Sequence, residues 1–132
     1  MLTVAIVHYA RHAPTRDYAQ ALENELRGTG HLAEQIRVSE AAANDIVFYD
    51  ALVLVGPPRF GRLHGIALAR AIAPERSSAV VIMGGTRPAE SYHRLFKSAE
   101  RPYISLFHEN DGGAGFATLS PVMDWLGGRE RP

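Results

Sequence analysis

Three short stretches of this chain carry residue types suited to holding an anion or a flat ligand. The first, Ala10-Arg11-His12-Ala13-Pro14-Thr15, joins an apolar run to an amphipathic one. Backbone N–H groups at the start of a helix lack intrahelical partners and lie at the positive end of its dipole, so a polar loop opening onto a helix can cradle an anion. The second stretch, Gly56 to His64, and the third, Gly84 to Pro88, each follow an apolar run of strand length. Around these stretches lie Arg11, His12, Arg16, Arg59, Arg62, His64 and Arg87, with no carboxylate before Asp17 in the first and none in the other two. Local positive charge of this kind points to a small anionic ligand. Thirteen of the fourteen cations are Arg and only Lys97 is Lys, so a single arginine reads more plainly as solvated rim, and the weight rests on the cluster.

Other chemistries find little support. With zero cysteines there is no disulfide framework, thiol nucleophile or Cys-based metal site. His8 and His12 stand four residues apart, but a strand-to-loop transition does not bring such positions together, and no third ligand supports them; no metal site is expected. His8 reads as a hydrogen-bonded core histidine, while His64 and His108, at strand ends, could transfer protons. Ser77, Ser78 and Ser91 have no nucleophile-elbow context. Fourteen basic residues balance fourteen acidic ones, so no global field attracts nucleic acid or an acidic membrane surface. The longest apolar runs are too short to span a membrane, and Met1 leads straight into a strand without a signal-peptide pattern, from which a cytoplasmic location is expected.

The elements that must position these stretches follow from periodicity. A length of 132 residues with 46% hydrophobic residues predicts one domain, residues 1–132, with a real core. Thr3 to Tyr9, Ala51 to Val55 and Ser78 to Met83 are apolar runs of strand length, hence strands buried on both faces. Leu32 to Val38 is a weaker, edge-like strand, and Tyr103 to Phe107 a fifth. Between them, Thr15 as N-cap with Asp17 in the first turn opens a helix whose Tyr18, Leu22 and Leu26 share one face, and Gly28 and Gly30 end it. Ser39 caps a short helix to about Asn44; Gly61 to Ala73 is helical; and Tyr92, Leu95, Phe96 and Ala99 make the segment after Pro88 an amphipathic helix. Asp111 to Gly115 is a loop, and Ser120-Pro121 opens the last helix. Alternating strands and helices predict a parallel sheet covered on both faces, with ligands beyond the carboxyl ends of the strands, where the three stretches fall.

A phosphoacceptor receiver domain shares this architecture but needs acids at the ends of strands one and three, where His8, Tyr9 and Gly56 stand. The alternation of five strands, the YDALVLVG lead-in at Tyr49 to Gly56 and the triplet Arg59-Phe60-Gly61 give a closer match. In these the chain resembles the flavodoxin-like flavoproteins, and within them the quinone reductases and flavodoxin-type protoporphyrinogen oxidases more than the small, acidic electron carriers. The resemblance implies an α/β, flavodoxin-like, doubly wound five-stranded parallel sheet. It also implies that Phe60 packs on an isoalloxazine ring, that Pro58, Arg59 and Gly61 shape the second flavin loop, and that Gly84, Gly85 and Thr86 supply the third. Arg11, His12 and Thr15 would then belong to the phosphate loop. That branch uses FMN to pass hydride from NAD(P)H to quinones, and an oligomer is compatible with it. The family's phosphate loop is rich in hydroxyls and glycine, whereas this one has Tyr9, Ala10 and Ala13 in such places and keeps Thr15, so FMN is expected to bind weakly or not at all. A second reading therefore stays open: a non-catalytic flavodoxin-like binding or protein-interaction domain with a degenerate phosphate loop.

Overall fold

Three central strands are built from the most apolar hexapeptides in the chain. In the computed structural model, which describes residues 1–110 and 115–129, these are β1 (Thr3–His8), β3 (Ala51–Gly56) and β6 (Ser78–Met83). Apart from Thr3, every residue in them is buried, as strands covered by helices on both faces must be. The flanking strands β2 (Leu32–Arg37) and β7 (Ile104–Glu109) are only partly buried and form the two edges. All five pair in parallel in the order β2-β1-β3-β6-β7. The order reverses between β1 and β3, which opens a crevice at their carboxyl ends.

Strand alternation divides the core in two. Val4, Ile6, Val53 and Val81 pack with α1 (Ala13–Gly28) and α4 (Leu119–Gly127) on one face. Ala5, Val7, Leu52 and Val80 pack on the other with α2 (Ala43–Ile46) and α3 (Ile66–Ile72). Tyr18, Leu22 and Leu26 form the buried stripe of α1, which ends at Gly28 as its glycines predict.

Several boundaries differ from the sequence expectations. Helix α1 begins at Ala13, with His12 rather than Thr15 in the N-cap position, because Pro14, with φ already set for a helix, fits its first turn. Asp17 consequently lies past that turn. The expected helix from Ser39 is a 3-10 turn at Val38–Glu40 followed by α2. Between Gly56 and Ile66 the chain reverses at Phe60 and Gly61, whose φ of 51° and 74° are both left-handed, into a hairpin of β4 (Pro58–Arg59) and β5 (Arg62–Leu63). Helix α3 therefore starts five residues later than the apolar spacing suggests.

After Pro88 the chain winds as 3-10 turns, Ala89–Leu95, instead of an α-helix. The Arg101 side chain donates to the carbonyls of His93 and Phe96, the former also accepting the Phe96 N–H at 3.0 Å in a tight turn, and Tyr92 and Phe96 still reach the core. Strand β7 continues past Phe107 because its register with β6 holds to Met83 opposite Glu109. Helix α4 begins at Leu119, one residue before the expected Ser120 cap, behind Thr118. Of the expected Asp111–Gly115 loop, residues 111–114 lie outside the described residues.

Candidate functional site at the carboxyl edge of the sheet

The loops after β1, β3 and β6 meet at one end of the sheet. Tyr9 N–H donates to Val55 O at 3.1 Å, and a Cβ placed on Gly56 would lie 3.4 Å from Tyr9 Cβ, so the first two loops touch. Gly85, at φ +81°, leaves room for Pro58: a Cβ there would stand 2.9 Å from Pro58 Cγ, which joins the second loop to the third. Gly84 donates its N–H to Glu109 O at 2.7 Å, and its carbonyl lies 2.8 Å from His108 Nε2, anchoring the third loop to β7. The Arg94 guanidinium donates to Gly61 O at 2.8 Å.

Within this cluster the residues singled out in the sequence take unequal places. Pro58 sits against Gly85, and the Arg59 guanidinium lies over the Tyr9 ring, 5.5 Å from its centroid. Phe60 is fully exposed, its ring projecting from the hairpin tip beside Gly61. Gly84 is buried, while Gly85 and Thr86 are exposed. In the first loop Arg11 is exposed, but Thr15 is fully buried, with its hydroxyl 2.8 Å from His12 Nδ1. Arg16 turns back to donate to Ala10 O at 2.6 Å, and Pro14 offers no N–H. The tips of the second and third loops are thus open to solvent, while the first loop is largely engaged with itself.

Sequence reasoning missed three features here. Tyr9 and His64 stack face to face, ring centroids 4.2 Å apart and planes 14° from parallel, so Tyr9 is a structural pillar between Arg59 and His64. The β7 strand end also carries a buried acid: Glu109 Oε1 accepts from Thr118 N–H at 2.9 Å and from its hydroxyl at 2.7 Å, and that hydroxyl lies 2.9 Å from Tyr18 OH. Burial is the main cause that pushes the Tyr18 phenol well above its ordinary pKa. The strand-end rule applied to every strand would have found Glu109. His8 corrects the expectation of a hydrogen-bonded core histidine: it is 7% exposed and its Nδ1 has no hydrogen-bond partner. Burial first, then the charges of Arg37 and Arg16, hold its pKa below the ordinary value.

Two recesses open at this edge. One of about 360 Å³ is lined by Arg59, Phe60, Arg62, Leu63 and His64. The other, about 870 Å³, runs from Tyr9 and His64 toward the turn after β2. Among the described residues no group of three or more His, Asp or Glu stands close enough to hold a metal ion, and no helix is long and apolar enough to cross a membrane.

No family model and no curated protein matches the sequence. Among solved structures, a flavodoxin of Streptococcus pneumonia TIGR4 superposes with a TM-score of 0.67 over 93% of this chain and 94% of its own, at 16% sequence identity. The likeness is one of fold: this chain has the flavodoxin-like five-stranded parallel sheet.

Proposed function

We propose that this protein binds FMN at the carboxyl edge of its sheet and acts as an oxidoreductase of the NAD(P)H:quinone reductase type. The reading rests on Phe60. A non-glycine residue held at left-handed φ costs on the order of 1 kcal/mol, and a bare aromatic ring in water gains nothing from burial. Both conditions hold at Phe60, at the tip of a hairpin that faces the Gly84–Thr86 loop through the Pro58–Gly85 contact. A flat ring stacked on Phe60 returns the apolar contact that the fold leaves unused.

The fit to FMN is uneven. Phe60 would carry the isoalloxazine, Pro58, Arg59 and Gly61 would shape the loop on one side, and the backbone of Gly84, Gly85 and Thr86 would offer polar groups from the other. The phosphate would meet only Arg11, His12 and the first turn of α1, since Thr15 is buried against His12 and Arg16 is turned onto Ala10 O. Bound FMN supplies hydride uptake from NAD(P)H and its delivery to a quinone; the chain's part is to bind, orient and hold charge near the ring.

The self-engaged first loop favours the second reading, a non-catalytic domain that uses this edge for another ligand or a protein. An equilibrium titration of the protein with FMN, with NAD(P)H oxidation measured in the presence of excess FMN, separates the two. Saturable flavin quenching together with protein- and quinone-dependent NAD(P)H oxidation supports the reductase. Saturable quenching without turnover restricts the claim to binding, and no quenching at any FMN concentration favours the second reading.

A further inference from the structure

The larger recess lies outside the ring pocket of the flavin reading and shares with that reading only Arg11, one of its phosphate contacts. It shares only His64 with the hairpin recess around Phe60, and it extends instead between the turn after β2 and the exposed side of α3. Its volume of about 870 Å³ lies in the range of small-molecule sites. Close-packed folds do not leave such space between a turn and a helix unless the side chains there are short. Here Ala41 and Ala43 face Ala67 and Ala71 across the gap, with Val38 and Leu68 completing an apolar floor. The stacked Tyr9 and His64 rings form an aromatic wall.

The polar side of the recess is cationic. Arg11 and Arg37 line it, Ser39 adds a hydroxyl, and no carboxylate is among the lining residues. Neither guanidinium makes an ion pair or hydrogen bond within the described residues. Glu34, Glu40 and Asp45 line the adjoining cleft, which Arg37 also borders, so the local positive field is limited and a multiply charged ligand would be repelled from that side.

We infer that this recess is a second small-molecule site, taking an organic monoanion with a flat apolar body. The body lies on the alanine floor against the Tyr9–His64 wall, and the anionic group reaches Arg37 and Arg11 at the rim. The apolar body requires neither Phe60 nor the Gly84–Thr86 loop, and of the residues assigned to FMN only Arg11, at the rim, is shared.

Two dyes that differ in one sulfonate test this. 1-Anilinonaphthalene-8-sulfonate is a flat monoanion, and N-phenyl-1-naphthylamine is the same body without charge. On the folded full-length chain, the sulfonate should bind at one site about tenfold more tightly than the neutral amine, the value of one charge-assisted contact. Arg37→Gln should remove most of that ratio and leave the amine unchanged, and Ala67→Trp, which fills the floor, should abolish binding of both. If Ala67→Trp does not fold, amide chemical-shift changes on adding the sulfonate to the unaltered protein serve instead. They should concentrate in residues 37–43 and 64–71. Equal affinity for the two dyes, shifts centred elsewhere, or displacement of the sulfonate by riboflavin, which lacks the phosphate that could compete at Arg11, would each overturn the proposal. A protein that binds the sulfonate in this recess but never binds FMN would sink the flavin reading and leave this one standing.

Discussion

Phe60 and His8 are opposite cases of a side chain placed where its own chemistry is unfavourable. Phe60 is an aromatic held in water, and Phe60→Ala should weaken flavin binding by about 1 kcal/mol beyond the lost area while leaving stability almost unchanged, because the ring packs on nothing in the free protein. An unaltered dissociation constant in a flavin titration would put the isoalloxazine elsewhere. His8 is a titratable group held dry, with burial, Arg37 and Arg16 all favouring its neutral form. As pH falls through about 6.5 the unfolded chain takes up a proton that the folded chain resists, so this stability is present above that pH and is lost toward the lowered native value. The thermal midpoint should therefore decline between about pH 7 and pH 5.5, and His8→Leu should make that decline shallower; equal slopes would contradict the assignment. The sequence showed that both residues stood at strand ends or loops. It could not show that the Tyr9 ring would stack on His64, because residues more than fifty positions apart meet only through the fold.

Secondary elements were legible where burial alone decides them. Ser78–Met83 and the core of Ala51–Gly56 stand where their uninterrupted apolar runs place them, since a strand covered on both faces has no other sequence signature. Legibility ended where backbone sign matters. Gly61 and Gly65 break what reads as one helical pattern from Gly61 to Ala73, and only their positive φ reveals the hairpin. Gly65 also carries a packing constraint: a Cβ there would lie 2.6 Å from Val38 Cγ2 and 2.8 Å from Leu54 Cδ1. Gly65→Ala should cost about 2–4 kcal/mol, combining the left-handed penalty with overpacking. At Gly30 the φ is similar but nothing lies within 4 Å, so Gly30→Ala should cost only about 1–2 kcal/mol. Urea midpoints of the two variants check this, and equal losses would remove the packing argument. In the first loop, Ala13 is already helical, so a glycine there has no conformational advantage, whereas Ala10→Thr adds a hydroxyl beside the start of α1. That change should raise FMN affinity without altering riboflavin affinity, which parallel titrations of the two flavins on the variant would measure.

At the scale of the whole molecule, strand alternation was sufficient to infer a parallel sheet covered on both faces, the family resemblance implied that it is doubly wound, and the β2-β1-β3-β6-β7 order brings three distant loops to one edge. Which edge residues remain open to a ligand was not legible, because Arg16, Thr15 and Arg94 turn toward the protein's own backbone and side chains rather than outward. The central claim is that this edge holds a flavin by its ring and only weakly by its phosphate. Fluorescence-quenching titrations of FMN and riboflavin, repeated at low and high salt, test it directly. Both flavins should bind, with FMN favoured by less than about tenfold at low salt. That margin should shrink near 1 M salt, where screening shortens to about 3 Å and exposed arginines lose their reach. Failure of both flavins to quench would contradict the claim, as would strong FMN selectivity that survives high salt.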